Sequence, residues 1–128
     1  LKLRGQSMQR AVPVGQGGMA AILGLEFDDV MLIARQVADR GVCEAANDNA
    51  PGQVVISGAK AAVEAAIALA TERGAKRAIA LPVSAPFHCA LMKPAADAME
   101  EALAQAALKA PAVPVVANVT AQAVTAPD

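Results

Sequence analysis

PGQVVISGAKAAVEAAIALATERG, from Pro51 to Gly74, decides how this chain folds. Pro51-Gly52 marks a turn. Gln53–Gly58 then sets three branched residues in a row and stops on a glycine, the clearest strand in the sequence. Ala62, Val63, Ala66, Ile67 and Ala70 follow at helical spacing. That spacing predicts a helix from about Lys60 to Arg73, ended by Gly74.

Outward from this core the pattern continues on both sides. Upstream, Gly18–Leu25 reads as an apolar strand between glycines. Asp28 is expected to cap a helix to about Arg40, with Val30, Ile33, Ala34 and Val37 on one face and Gly41 as its stop. Val42–Asn47 is a weaker strand, and DNAPGQ after it is a turn cluster. Downstream, Lys76–Val83 is a further strand. Strand, helix, strand, strand, helix, strand over about Gly17–Pro82 is the βαββαβ order of a ferredoxin-like unit, an antiparallel sheet with two helices on one face. The class is α+β. An opening helix end to about Val12, an Ala-rich helix from about Met92 to Lys109 and a strand at Pro114–Val119 fall outside that order. They read as parts of something that this unit interrupts. The chain starts without Met, on a helix tail, and closes just after a strand, as a fragment would.

Composition narrows the function classes. The 128 residues are 55% hydrophobic but only 2% aromatic, so the core is built from Ala and Val. Eleven basic residues against twelve acidic give a net charge of −1, without the basic excess of a nucleic-acid binder. No apolar run is long enough to span a membrane, and no signal peptide opens the chain. Cys43 and Cys89 match no metal spacing and read as a reduced, cytosolic pair.

The residues with chemical potential gather near PVSAPFHCALMKPA, Pro82–Ala95. His88 is the only histidine. A lone histidine most often serves structure or faces solvent. This one follows a strand end, in a loop stiffened by Pro82, Pro86 and Pro94, where an imidazole can be held as a proton shuttle. Adjacent residues rarely form a nucleophile–base pair, so Cys89 reads as a buried thiol. The serines are Ser7, Ser57 and Ser84, and none lies in a G-x-S-x-G elbow, so a base at His88 would lack its nucleophile here. Arg4 and Met8 share a helix face beside Gly5. A helix-end Arg is usually solvated, but a guanidinium can also grip a carboxylate with two parallel hydrogen bonds. Asn47 and Asn49 can make Asx turns or hold a ligand's polar groups. Lys76 and Arg77 form a basic knot that is either surface or phosphate-facing.

RGQSMQRAVP, NDNAPGQVVISG and GAKRAIALPVSAPFHCALMKPAA together resemble the malonyl-CoA:acyl-carrier-protein transacylases of bacterial fatty acid synthesis. The resemblance covers essentially the whole chain. It implies a ferredoxin-like βαββαβ subdomain at residues 15–83, inserted in an α/β-hydrolase-like acyltransferase domain that supplies residues 1–14 and 84–128. It further implies that the nucleophilic serine lies upstream, outside this chain, so that the chain alone would be inactive. His88 then corresponds to the general base and Arg4 to the group that grips the malonyl carboxylate. Met8 and Phe87 correspond to substrate-pocket positions. Asn47, Asn49, Lys76 and Arg77 correspond to positions near the CoA and phosphopantetheine arm. Many bacterial members carry Ser-His where this chain has Phe87-His88. A Phe before the His is found in malonyl-selective polyketide acyltransferase domains. The implied partners are malonyl-CoA, as substrate, and acyl carrier protein, for a cytoplasmic, monomeric enzyme that needs no cofactor or metal. Two other readings remain at this point: a polyketide-synthase acyltransferase domain, and a ferredoxin-like ligand-binding module without chemistry.

Overall fold

The computed structural model describes residues 1–83 and 85–126. Ser84 and the last two residues, with the outer limits they give to the expected 84–128 segment, lie outside the described residues. The elements are α1 (Lys2–Ala11), β1 (Gly17–Leu23), α2 (Phe27–Gln36), β2 (Cys43–Ala50), β3 (Gln53–Ala59) and α3 (Lys60–Glu72). They continue with β4 (Arg77–Ala80), α4 (Lys93–Ala104), β5 (Val115–Ala117) and β6 (Gln122–Val124). The fold is mixed α and β.

Four strands form one sheet in the order β2-β3-β1-β4, and every neighbouring pair is antiparallel. Alternation along each strand divides the sheet into two faces. Ala20, Ile22, Val54 and Ile56 point to one face, where Val30, Ile33 and Ala34 of α2 and Ala62, Val63, Ala66 and Ala70 of α3 close over them. Ile22, Ile33 and Ile56 are fully buried, and each contributes about 1.5–3 kcal/mol of hydrophobic stabilisation. Small alanines on α3 let that helix sit close to the sheet. Met19, Val55 and Ser57 point to the other face and are buried too, although neither sheet-packing helix covers them. That second cover comes from outside the four-stranded unit. The turn of 3₁₀ helix at Ala90–Met92 approaches β3, and α1 packs along α4.

Several boundaries differ from the sequence expectation. Asp28 is not the cap of α2: Glu26 holds that position, and Asp28 and Asp29 lie in the first turn, where their charge favours the helix N-terminus. The helix stops at Gln36, and Ala38–Arg40 is a separate 3₁₀ turn. β2 runs through the Asn/Asp stretch to Ala50, so the turn shrinks to Pro51-Gly52, with Gly52 at φ +68°. Two register shifts, between Ala45 and Asn47 and between Asp48 and Ala50, let poor strand formers continue the ladder as bulges. β4 is shorter than expected because Pro82 ends its donors, although the Leu81 amide still reaches the Met19 carbonyl at 2.8 Å. α4 ends at Ala104 rather than near Lys109. Residues 103–110 are exposed, and alanine propensity alone does not sustain a helix without a packed face. The expected strand at Pro114–Val119 is three residues long and pairs with β6, which the sequence pattern did not announce.

Candidate active site

The segment that leaves β4 is held at each of its corners. Ala85 and Pro86 are buried, and the Phe87 amide donates to the Ala85 carbonyl at 3.2 Å. The Cys89 thiol, itself buried, donates to the Pro86 carbonyl at 3.2 Å. The Met92 amide donates to the Cys89 carbonyl at 2.9 Å and opens the 3₁₀ turn, which runs into α4 with a proline in its first turn. Between these anchors His88 has φ +60°, in the left-handed region that a residue with a Cβ rarely adopts. Such backbone persists where the surroundings over-determine it, and it clusters at functional sites. The imidazole is exposed at the loop's tip.

Arg4 and Met8 sit one turn apart on α1. Both border the two clefts that Phe87 and His88 also border. One cleft, of about 240 Å³, extends toward Met92 and Ala95 of the turn and α4. The other, of about 450 Å³, runs under the uncovered face of the sheet, past Met19, Val55, Leu81 and Val83, and reaches Asn47. A cation, an imidazole and an apolar wall therefore share one depression. Among the described residues no carboxylate lies within ion-pairing distance of Arg4. The guanidinium is thus available to an anion.

The other expected residues are elsewhere. Asn49 is exposed at the second bulge of β2. Lys76 and Arg77 are exposed where β4 begins, and Lys76 packs its stem against Gly24. Arg77 pairs with Leu23, which pairs with Gln53, which pairs with Ala50. This row is the hairpin end of the sheet. The histidine loop departs from the other end of β4, about 13 Å away at the rise of an extended strand. Asn47 lies between. Arg73, at the end of α3, donates to the Gln36 side chain at 2.6 Å. A Cβ at Gly5 would meet nothing within 4 Å among the described residues, so no other segment packs closely against it there.

Met19, Val55, Leu81, Val83 and Met92 escaped the sequence reading as site residues. Period-two alternation in β1 and β3 already placed Met19 and Val55 opposite Ala20 and Ile56. What it could not supply was the identity of the layer facing them. Among the described residues the titratable group most displaced by its surroundings is Cys43, on the core side of β2. Burial, then the neighbouring Cys89 and Glu44, push its thiol up to about 11. It is a packing thiol and not a nucleophile.

An imidazole and an unpaired arginine on one apolar-walled cleft can receive an anionic group. The chain belongs to the acyl transferase domain family, whose sequence model matches residues 1–128. Among its relatives, it is 50% identical over 125 residues to the malonyl CoA-acyl carrier protein transacylase of Haemophilus influenzae, covering 98% of this chain and 40% of that protein. The crystal structure of the acyl-carrier-protein S-malonyltransferase of Burkholderia pseudomallei superposes with a TM-score of 0.86 at 54% identity, over 98% of this chain and 41% of that one. A malonyl-transacylase solved in complex with a type II PKS acyl-carrier protein superposes with a TM-score of 0.89 at 44% identity, over 98% and 41% of the two chains. The chain thus spans about two fifths of the length of the curated relatives it matches.

Proposed function

We propose that this chain is the central part of a malonyl-CoA:acyl-carrier-protein transacylase of fatty acid synthesis. The observation that carries the reading is that Arg4 and His88, far apart in sequence, border the same two clefts. Residues 15–83 form the ferredoxin-like subdomain, and residues 1–14 and 84–128 belong to an α/β-hydrolase-like domain completed by the rest of the protein. The antiparallel βαββαβ sheet supports that division. The enzyme is a cytoplasmic monomer that uses no cofactor. Among the described residues no helix is long and apolar enough to cross a membrane.

The reaction proceeds in two acyl transfers through a serine that lies outside this chain. His88 takes the serine proton as the hydroxyl oxygen attacks the thioester carbonyl of malonyl-CoA. The tetrahedral intermediate collapses, the C–S bond breaks, and the imidazolium returns the proton to the departing CoA sulfur. The phosphopantetheine thiol of acyl carrier protein then gives its proton to His88 and attacks the seryl ester. The serine leaves and recovers that proton. Arg4 holds the free malonyl carboxylate throughout. Met8 and Phe87 flank the acyl group. Asn47 lies along the path of the thiol arm, with Asn49, Lys76 and Arg77 at its phosphate end. The basic pair also meets the acidic carrier protein.

The test is transfer of labelled malonyl from malonyl-CoA to acyl carrier protein by the full-length protein. His88→Ala should lower kcat by about 10²–10⁴-fold, the usual range for a lost general base. The 128-residue chain alone should give no turnover. Unchanged kcat in His88→Ala, or turnover by the isolated chain, would overturn the reading. Offering carrier proteins of fatty acid and polyketide synthesis side by side separates the two pathways.

A further inference from the structure

We propose that Glu44 is a positioning residue for His88, a role that rests on the function proposed above. Glu44 is the second residue of β2, whereas His88 lies beyond the last strand of the same sheet. Its Oε2 accepts a hydrogen bond from the Ala90 amide at 3.0 Å, two residues past the imidazole. Ala90 opens the 3₁₀ turn, so this amide has no partner inside the turn. Among the described residues Glu44 is the only side chain from outside the loop that bonds to its backbone.

The conformation of His88 makes this bond consequential. A left-handed φ at a residue with a Cβ is strained and relaxes unless both flanks are held. The N-terminal flank is fixed by Pro86, which is fully buried and is bonded through its carbonyl to Cys89. On the C-terminal side Cys89 is held by bonds within the loop, and Glu44 adds the one side-chain tie from another element among the described residues. With the amide of Ala90 released, the loop keeps only its internal bonds, the left-handed backbone at His88 relaxes, and the ring swings away from the cleft it shares with Arg4. Glu44 touches neither cleft, so it acts through the loop and not on the substrate. Its side chain is exposed, so replacing it leaves the core packed.

The experiment compares Glu44→Ala and Glu44→Gln in the full-length protein. Displacing a catalytic group by about 1 Å costs up to about 100-fold in rate. Glu44→Ala should therefore lose about tenfold or more in kcat, with KM for malonyl-CoA within about twofold of the parent. Glu44→Gln keeps an acceptor oxygen and should recover kcat to within about threefold. Crystal structures of the parent and the Ala variant should show His88 leaving the left-handed region only in the variant. Unchanged kcat in Glu44→Ala, an equal loss in both variants, or a His88 backbone that stays put overturns the proposal. The structural comparison decides the role of Glu44 even where the parent transfers no malonyl, an outcome that counts only against the proposed function.

Discussion

Pro86 is seated on the backbone of Gly17: a Cβ built at Gly17 would lie 2.5 Å from both Cγ and Cδ of the proline ring. The first residue of β1 thus forms the floor under the histidine loop. Gly17 needs no special φ, so the demand is for space alone. Gly17→Ala should lift Pro86 and shift His88 with it. The expected result is a loss of about 1–3 kcal/mol in stability, as for other overpacked sites, together with a lower kcat. Chemical denaturation and steady-state kinetics check both, and a variant with parental stability and rate would contradict this contact.

Arg4 gives a prediction about selectivity. A charged hydrogen bond contributes about 1.5–3 kcal/mol, so Arg4→Ala should lower kcat/KM for malonyl-CoA about 10- to 100-fold. Transfer of acetyl, which has no free carboxylate, should fall far less. Parallel assays with both thioesters in the full-length protein decide the matter. Equal losses would count against a carboxylate clamp.

Cys43 gives a prediction about pH. Its folded thiol is held up to about 11, above the ordinary value of 9.0, because burial disfavours the thiolate. Below pH 9 the folded and unfolded chains both keep the proton, and the site has no pH dependence. Between about 9 and 11 the unfolded chain releases it while the folded chain retains it, so stability falls across that window. Urea melts at pH 8 and pH 11 should show a smaller drop for Cys43→Ala than for the parent. Alkylation of Cys43 in the native protein should also be slow at pH 8. An identical drop in both proteins would show that this thiol does not contribute.

How much of this was legible in the sequence follows from the physics of each element. β3 and α3 could be read because branched residues, a glycine stop and a single apolar face are local signals. The succession of strands and helices along the chain followed from those signals. The extension of β2 beyond Asn47, through Asp48 and Asn49 to Ala50, could not be read, because bulges and pairing to β3 override the turn preference of those residues. The shortened α4 was missed for the converse reason: propensity favoured helix, and no partner surface sustained it. At the site, His88 and Arg4 stood out as chemistry, and the resemblance gave them roles. Their shared cleft depends on α1 and the loop meeting across the sheet, which no local pattern encodes. The bond from Glu44 to Ala90 joins residues 46 positions apart and leaves no trace in either segment alone.

The two faces of the sheet have a consequence for how this scaffold can change over generations. Along β1, Met19 looks into the cleft while Ala20 is sealed in the core. Along β3, Val55 and Ile56 divide in the same way. Substitution at Met19 or Val55 reshapes the volume of the cleft and leaves the helical side intact. Substitution at Ala20 or Ile56 disturbs the packed core instead. The cleft can therefore be reshaped on every second residue of a strand without touching the residues that hold the helices, and a library aimed at new cleft volumes belongs on those alternate positions.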